Sequence, residues 1–579
     1  MNILLIDVSP PIAQALAGMG HTIEEIRPPR GIVFLPGILK RLAARAFVPD
    51  ILMQQESLGP RLYLAGLDEA PCPSLFFAVD SHLNLFWQQW YSLLFDAVLT
   101  PHVSLFADLP EERRPPAVSR FAWFGQPRQW RPHEKRGRFM SLCARRTEHR
   151  PLREWFVELL SQRGLECVEG LKHPDMMLLY DDSRLVPNEC IAWESNFRLL
   201  EAASAGCCVL SPDVGEDQNA LLEPGKEFLV WRNGFELLDC VAWAKMRPAR
   251  TEKIGRAAFA RVNACHLPAH RARSLLDAAR SLSPNRLEGP SARLAFWLTV
   301  AKQLRNGVLA LNAHEHAAAG LRFLGDLPAW EHLPGHIRPI VSHSLAQCLI
   351  LLALSPGSTG EALRLCRSLA AEGAHAHGGP AAALEVASAA GALALREGDH
   401  PLAHFFWMHW RKRNRIDDGA AGQEDKRREV PETPVGLCRS WAAALYRHAG
   451  IAQTGFAFRP EEGALPECAL EFLQFARRFI PEGPDGDTAR KRLCDMERDI
   501  TEAPEHLTRH LNALDALFRL EPENWRVGLA YGAACIKACL VEEGICAIAD
   551  ARRKAMAAGQ ERRFAARCRS LGCSVEKFL

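Results

Sequence analysis

The residues best suited to chemistry lie in the segment NFRLLE, where Asn196, Arg198 and Glu201 follow the pattern N-x-R-x-x-E. We expect this segment to begin a helix over residues 196–205. Free N–H groups and the dipole at a helix N-terminus favour a phosphate, and the guanidinium of Arg198 adds a fixed, bidentate positive charge. The Glu201 carboxylate can accept hydrogen bonds from ribose hydroxyls. The segment therefore predicts a site for a phosphate beside a group that carries hydroxyls.

A second group of positive charges lies in the segment SLCARRTEHRPLREW, which contains Arg145 and Arg146. The segment follows a predicted strand, and the loop after such a strand borders the ligand cleft of an open α/β sheet. We therefore expect Arg145 and Arg146 to contribute to diphosphate binding. The alternative is a solvated basic turn that caps the next helix.

Asp80 and His82 follow a buried apolar strand in the segment FFAVDSHLNLFW. The carboxyl end of a parallel strand is where catalytic groups of α/β folds gather. A carboxylate or an imidazole there could deprotonate an acceptor hydroxyl or stabilise an oxocarbenium-like transition state. The alternative is that Asp80 or the following Ser caps the next helix.

Two series of alternating strands and helices position these residues, a pattern typical of parallel βαβ units. We expect a first Rossmann-like lobe at 1–124, a Pro- and Gly-rich hinge at 125–137, and a second Rossmann-like lobe at 138–283. Ligands of open sheets bind at the carboxyl ends of the strands, so the cleft between the lobes is the expected site. The strands are expected at 2–7, 21–26, 50–54, 74–79, 97–100 and 120–123, then at 139–143, 165–169, 183–187, 207–211 and 228–231.

From residue 284 to residue 579 the strand signal stops and Ala-, Leu- and Arg-rich helices dominate. The pairs 384–396 with 402–413, and 525–540 with 545–557, read as helix–turn–helix units similar to degenerate tetratricopeptide (TPR) repeats. The polar stretch 414–434 is a flexible loop or a boundary between two helical blocks. We expect residues 1–283 to form a separable catalytic unit.

Composition excludes several classes of protein. The 70 Lys and Arg residues balance 68 Asp and Glu residues to a net charge of +2, which argues against bulk binding of nucleic acid. No apolar stretch is long enough for a membrane span, and the first residues lack a basic segment ahead of an apolar one, so we expect a cytoplasmic protein. The 18 cysteines are scattered without a CxxC pair, which favours buried, reduced thiols.

The segment from Tyr180 to Trp231 resembles the donor-binding lobe of GT-B glycosyltransferases, most of all the CgeB-like (spore-maturation-type) group. The resemblance comprises the helix motif of Asn196, Arg198 and Glu201, the small residues up to Gly206, the apolar strand after it, and the later element Lys226–Glu227–Phe228. An acidic residue at the strand end occupied by Asp80 is also typical of the group. Retaining members of the superfamily often carry two glutamates with seven residues between them, whereas only six residues lie between Glu194 and Glu201, which favours Glu201 alone.

The resemblance implies transfer of a sugar from a nucleotide-diphospho-sugar to an acceptor, which could be a glycan, a lipid or a protein. It implies no cofactor besides that donor. Neither lobe has an Asp-x-Asp motif at a strand end, so we expect metal-independent chemistry. Two alternatives remain open: degenerate lobes with helical repeats that serve as a protein-interaction module, and a GT-B sugar-nucleotide epimerase. The helical region is a structural appendage, a dimerisation surface or a docking site for a protein acceptor.

Overall fold

The chain forms two compact units in a computed structural model, which describes residues 1–147, 150–190, 192–280, 282, 285–375, 379–414, 431, 433–449 and 458–571. Met1–Phe121 and Leu275–Arg490 make up the first unit, and Ala122–Ser274 and Lys491–Leu579 make up the second. Each unit therefore combines a parallel sheet with helices of the C-terminal half. Of the loop or boundary expected at 414–434, residues 415–430 and 432 lie outside the described residues.

The strands of the first unit form a six-stranded parallel sheet of order β2-β1-β4-β6-β7-β8 and a separate pair, β3 with β5. They are β1 Asn2–Ile6, β2 Thr22–Ile26, β3 Gly31–Phe34, β4 Ile51–Gln55, β5 Leu62–Ala65, β6 Ser74–Phe77, β7 Ala97–Thr100 and β8 Val118–Arg120. The predicted strands of the main sheet are confirmed within a few residues at their ends. The pair β3 and β5 was not predicted.

The second unit contains a five-stranded parallel sheet of order β10-β9-β11-β12-β13. Its strands are β9 Arg138–Cys143, β10 Leu165–Val168, β11 Ser183–Pro187, β12 Cys208–Pro212 and β13 Leu229–Trp231. Successive residues of a strand face opposite sides of a sheet, so Leu185 and Val186 of β11 belong to different apolar cores. Burial on both faces explains why these strands read as unbroken apolar runs.

Helices surround both sheets and make up the whole described C-terminal half apart from short 3₁₀ turns and loops. The α/β part contains α1 Pro10–Gly18, α2 Leu35–Ala43, α3 Ser81–Tyr91, α4 Val103–Ala107, α5 Pro151–Ser161, α6 His173–Asp181, α7 Phe197–Ser204, α8 Glu216–Asn219, α9 Gly234–Met246, α10 Pro248–Cys265 and α11 Pro268–Arg280. The C-terminal half contains α12 Gly289–Arg305, α13 Ala313–Gly325, α14 Arg338–Leu354, α15 Thr359–His375, α16 Leu384–Arg396, α17 His400–Arg413, α18 Pro434–Ala449, α19 Ala469–Ala476, α20 Pro484–Ile500, α21 Leu507–Leu520, α22 Trp525–Lys537, α23 Val541–Ala557 and α24 Glu561–Ser570. The fold class expected from the sequence, two Rossmann-like α/β parts followed by an all-α region, is confirmed.

The first unit joins its sheet to the helical half through a buried ion pair. Arg286 donates to Asp96 at 2.7 Å, and their side chains are 6% and 0% exposed. Helix α12 packs on α3, and the buried Trp90 ring of α3 lies 4.5 Å from the His343 ring of α14, centroid to centroid. Residues 1–283 alone would leave Asp96 without Arg286 and α3 without its apolar cover, so this packing argues against a separable N-terminal part.

The second unit joins its sheet to α22 and α23 at the start of α9. A Cβ on Gly234 would come within 2.6 Å of the Val541 side chain and 3.1 Å of the Ile536 carbonyl oxygen. Only glycine permits so close an approach. Cys539, in the turn between α22 and α23, is buried in the same apolar core as Leu237 of α9. The last helices of the chain are therefore integral to the second unit.

Two further expectations concern membranes and cysteines. No described helix is both long and apolar enough to cross a membrane. The described cysteines are free and mostly buried, although Cys546 is exposed.

Candidate functional site

A buried carboxylate organises the carboxyl end of the second sheet. Glu189 comes two residues after β11, and its side chain is 5% exposed. One oxygen accepts from Arg153, which is also almost fully buried, and the other accepts from Arg198 at 2.8 Å. Arg153 also donates to the Arg145 carbonyl oxygen at 2.9 Å, which ties the loop after β9 to the loop after β11.

Arg198 and Asn196 both turn towards this loop. Arg198 donates to the Asn188 side chain at 2.9 Å, and Asn196 donates to the same oxygen at 3.0 Å and to the Glu189 carbonyl oxygen at 2.9 Å. Asn196 is at the N-cap position of α7, but its side chain makes no capping hydrogen bond. Among the described residues nothing bonds the buried Asn196 Oδ1. The helix start therefore keeps polar groups that a ligand can use.

Glu201 contacts a histidine that sequence reasoning did not identify. The Glu201 side chain is 10% exposed, and its carboxylate lies 3.1 Å from His173 Nε2, at the start of α6. The hydrogen bond to Glu201 raises the pKa of His173, although partial burial opposes the shift. Glu201 is thus positioned by His173 in this structure, and its carboxylate keeps acceptor capacity for a ligand hydroxyl.

The two arginines after β9 differ in what they contact. Arg146 pairs with Glu169 at 2.6 Å and Glu154 at 3.4 Å, so its charge is already shared. Arg145 is exposed and has no ion pair with any described residue, and the same holds for Arg150. Partial burial of the guanidinium, and then the neighbouring Arg153, lower the pKa of Arg150, whereas Glu189 and Glu194 raise it. Arg145 and Arg150, which form no ion pair with a described residue, therefore lie beside the Glu189 cluster.

The loop between β11 and α7 contains a strained residue. Trp193 has a φ of +58°, a conformation that bulky side chains rarely adopt, and its indole donates to the Asp213 carbonyl oxygen at 2.7 Å. Glu194 is buried and accepts from the Ala192 backbone at 2.9 Å. Backbone strain of this kind concentrates at functional sites. The indole hydrogen bond of Trp193 joins the loop after β11 to the loop after β12.

The first unit has its own polar cluster at the carboxyl ends of β4 and β6. Glu56 directly follows β4, and its fully buried carboxylate accepts from the Val79 and Asp80 backbone N–H groups at 2.8 Å each. Arg61, Asn84 and Gln88 also donate to it. Burial first, and Asp80 second, raise the pKa of Glu56 to about 7. Glu56 therefore fixes the backbone that presents Asp80.

Asp80 and His82 both lie at this strand end, as the sequence predicts. Asp80 occupies the N-cap position of α3 without a side-chain capping bond, so simple helix capping does not explain it. The His82 ring lies 5.1 Å from the His102 ring, centroid to centroid, and its Nδ1 atom has no hydrogen-bond partner among the described residues. Burial lowers the pKa of His82 well below 6.5, and His102 lowers it further, so this imidazole is neutral.

Sequence reasoning missed Glu189, Glu56 and His173. The strand-end rule that selected Asp80 would also have selected Glu189 and Glu56, since each follows a buried strand directly or nearly so. His173 approaches Glu201 from 28 residues away, and no local pattern encodes that contact. Across the residues that the structure describes, no group of three His, Cys, Asp or Glu side chains could hold a metal ion.

Several solved structures are similar to about half of this chain. Sucrose-phosphate synthase from Thermosynechococcus elongatus matches with a TM-score of 0.35 and 11% identity, over 48% of this chain and 98% of that one. Anabaena HepE, solved in complex with UDP-glucose, matches with a TM-score of 0.34 and 13% identity, over 49% and 100%. A protein described as a UDP-N-acetylglucosamine 2-epimerase from Listeria monocytogenes matches with a TM-score of 0.31 and 14% identity, over 50% and 99%.

No curated protein sequence matches this chain. One protein-family model does match, over residues 125–277, and that family is described as glycosyl transferase-like. The matched residues include the whole sheet of the second unit and the cluster of Glu189, Arg198 and Glu201 at its carboxyl end. This part of the chain is therefore glycosyl transferase-like.

Proposed function

We propose that the chain is a glycosyltransferase that transfers a sugar from a nucleotide-diphospho-sugar to an acceptor hydroxyl. The observation that carries the proposal is the coincidence of the glycosyl transferase-like match over 125–277 with the polar cluster at the carboxyl ends of β9 and β11. Parallel sheets bind ligands at this edge. The CgeB-like resemblance and metal-independent chemistry belong to the same proposal.

The donor diphosphate is proposed to bind the positive charges around Glu189. Arg145 and Arg150 can turn to a ligand without breaking an ion pair with a described residue. Arg198 is 13% exposed and reaches a phosphate by sharing its bonds to Glu189 and Asn188. The N-terminus of α7 adds its dipole. In this arrangement Glu189 holds Arg153 and Arg198 in place, and the exposed arginines supply the net positive charge.

Glu201 is proposed to accept hydrogen bonds from the donor ribose. Its carboxylate is slightly exposed and contacts His173. A carboxylate has capacity for several acceptor bonds, so a diol can be added beside the histidine. His173 then orients Glu201 for the ribose.

Asp80 and His82 are proposed to act on the acceptor. The Asp80 carboxylate is the better proton acceptor of the two, because burial holds the pKa of His82 well below 6.5 and so disfavours a protonated imidazole. The neutral His82 ring can still orient an acceptor hydroxyl by hydrogen bonding. Glu56 positions the Asp80 backbone through two hydrogen bonds.

The test is donor hydrolysis. Purified protein incubated separately with UDP-, GDP-, ADP- and dTDP-sugars should release the nucleoside diphosphate from one of them, slowly, because water replaces the acceptor. Glu201→Ala should abolish the release, and Glu158→Ala, an exposed carboxylate on α5, should not. Release of a free sugar indicates transfer to water, whereas an intact nucleotide with an altered sugar would indicate an epimerase. Absence of any reaction together with absence of nucleotide binding would refute the proposal.

A further inference from the structure

A cavity of the second unit is lined by residues of four helices, α20, α21, α22 and α24, and its lining does not include Glu189, Arg198 or Glu201. Its volume is about 1170 Å³. Several residues of each helix point into it at helical spacing: Lys491, Asp495 and Arg498 of α20; Leu507, His510 and Leu514 of α21; Arg526, Ala530, Ala533 and Lys537 of α22; and Arg563, Arg567 and Ser570 of α24. Stripes from successive helices facing one space are the geometry by which helical repeats form a concave binding surface.

The charges of this cavity do not cancel. Asp495 and Asp499 are paired with Arg498 at 2.9 and 2.8 Å, and Glu521 is paired with Lys491. In the described part of the chain, Lys537, Arg563 and Arg567 are exposed and make no ion pair. Arg526 lies over the Trp525 ring. Among the described residues that line the cavity, seven are Lys or Arg and five are Asp or Glu, so the lining carries a net charge of +2.

The spacing of the α22 residues fits an extended chain. Arg526 and Lys537 are separated by three turns of helix, about 16 Å at 1.5 Å per residue. Alanines 530, 533 and 534 line the cavity between them, so the backbone of a ligand can approach closely. An extended polypeptide covers that distance with about five residues at roughly 3.3 Å each. The cavity is also lined by four carboxylates of the helical region, which are Asp495, Asp499, Glu502 and Glu521. They would repel a nucleic-acid backbone, which carries a negative charge at every nucleotide, more than a peptide in which acidic and neutral residues alternate.

The same cavity reaches the carboxyl edge of the sheet. Trp193, Asp213 and Arg232 line it, and Asp213 and Arg232 directly follow β12 and β13. This is the edge at which the donor is proposed to bind. A polypeptide in the cavity would be held beside that edge.

We propose that this cavity binds an extended acidic polypeptide segment, and that this segment belongs to the acceptor. The second half of the statement rests on the proposed glycosyl transfer, whereas binding of the segment does not. Acidic side chains of the segment pair with Arg526, Lys537, Arg563 and Arg567, and its backbone lies against the alanines of α22.

The test is fluorescence anisotropy of the full chain with a labelled peptide in which Glu alternates with Ser. The same peptide with Gln in place of Glu, and an oligothymidylate of similar length, serve as comparison probes. The acidic peptide should bind, and Arg563→Glu with Arg567→Glu should weaken it by about tenfold or more, since charge-assisted contacts become repulsive. The matched control is Arg562→Glu with Arg569→Glu, which reverses two charges that are exposed on the same helix but do not line the cavity.

Several results would overturn the proposal: no binding of the acidic peptide, equal binding of the Gln peptide, or equal losses in both double variants. Oligothymidylate binding as tight as the peptide, with the same loss, would reveal a general polyanion surface instead. Lys537→Gln on α22 gives an independent loss if the α24 variant fails to fold. UDP and GDP binding, measured separately, distinguishes the two proposals, because peptide binding without nucleotide binding would refute glycosyl transfer alone.

Discussion

Replacing Glu189 by alanine should destabilise the second unit strongly. The Glu189 side chain is 5% exposed, and it is the carboxylate that accepts from both Arg153 and Arg198, which are themselves 8% and 13% exposed. Its removal leaves two guanidinium groups in a low-dielectric environment without their anion. Removing one partner of a buried ion pair costs about 3–5 kcal/mol. A loss of that size is a large fraction of the stability of a typical domain, about 5–15 kcal/mol.

Thermal unfolding provides the assay. For a unit of this size each kcal/mol shifts Tm by about 2–4 °C, so Glu189→Ala should lower Tm by roughly 6–20 °C. Glu189→Gln should behave similarly, because it keeps the shape and removes the charge. A nucleoside diphosphate should restore more stability to the variant than to the unaltered protein, since its phosphates supply anions near Arg198.

The matched control is Glu158→Ala, which removes an exposed carboxylate from α5 and should leave Tm within a degree or two. If the Glu189→Ala protein had the same Tm as the unaltered protein, the burial of Arg153 and Arg198 would not depend on Glu189. That result would remove the reasoning that assigns Glu189 a positioning role.

The remaining predictions concern His173, Asp96 and the division of the chain. Because the bond to Glu201 raises the pKa of His173 above 6.5, the pair should add stability that is complete below pH 6.5 and lost as pH rises through the folded-state pKa. Glu201→Gln should remove this pH dependence in denaturant titrations, and an unchanged dependence would place its origin elsewhere. Arg286→Ala should lower the free energy of unfolding by about 3–5 kcal/mol, because Asp96 stays buried without its cation; a urea midpoint like that of the unaltered protein would count against the pair. Residues 1–283 expressed alone should aggregate, and a soluble, cooperatively melting fragment would show that α12 is dispensable.

Most of the fold follows from burial patterns in the sequence. The central strands are buried on both faces and flanked by helices, so they appear as short apolar runs at regular intervals. Strand β3 was missed because its residues alternate between half-buried and exposed positions and form no apolar run, and its partner β5 was missed with it. Strand β8 was expected too late, since the buried residues Phe121 and Ala122 follow the strand instead of belonging to it.

The assembly of the helices could not be predicted in the same way. Periodicity identifies α16, α17, α22 and α23 but not the unit to which each pair belongs. That choice depends on tertiary contacts such as the Arg286–Asp96 pair, which joins residues 190 positions apart. The sequence therefore suggested one helical region, whereas helices of that region occur in both units.

In the candidate site, too, local patterns were predicted from the sequence and contacts between distant elements were not. Asn196, Arg198 and Glu201 were recognised because their spacing on one helix is a local pattern. Their partners come from other elements, so the ion pair of Arg198 with Glu189 was not foreseen. The roles assigned to Asp80, His82, Arg145 and Arg146 stay predictions, and the pairing of Arg146 with Glu169 makes it the weaker diphosphate ligand of the two arginines.

Calorimetric titration of UDP, GDP and the matching nucleosides tests the central proposal most directly. One nucleoside diphosphate should bind, and Arg145→Ala should weaken it by about tenfold or more while leaving the nucleoside unaffected, because a charge-assisted contact contributes about 1.5–3 kcal/mol. Arg163→Ala, which removes an exposed arginine after α5, should change neither affinity. Equal weakening of diphosphate and nucleoside, or no binding of any nucleoside diphosphate, would contradict a donor site at this edge of the sheet.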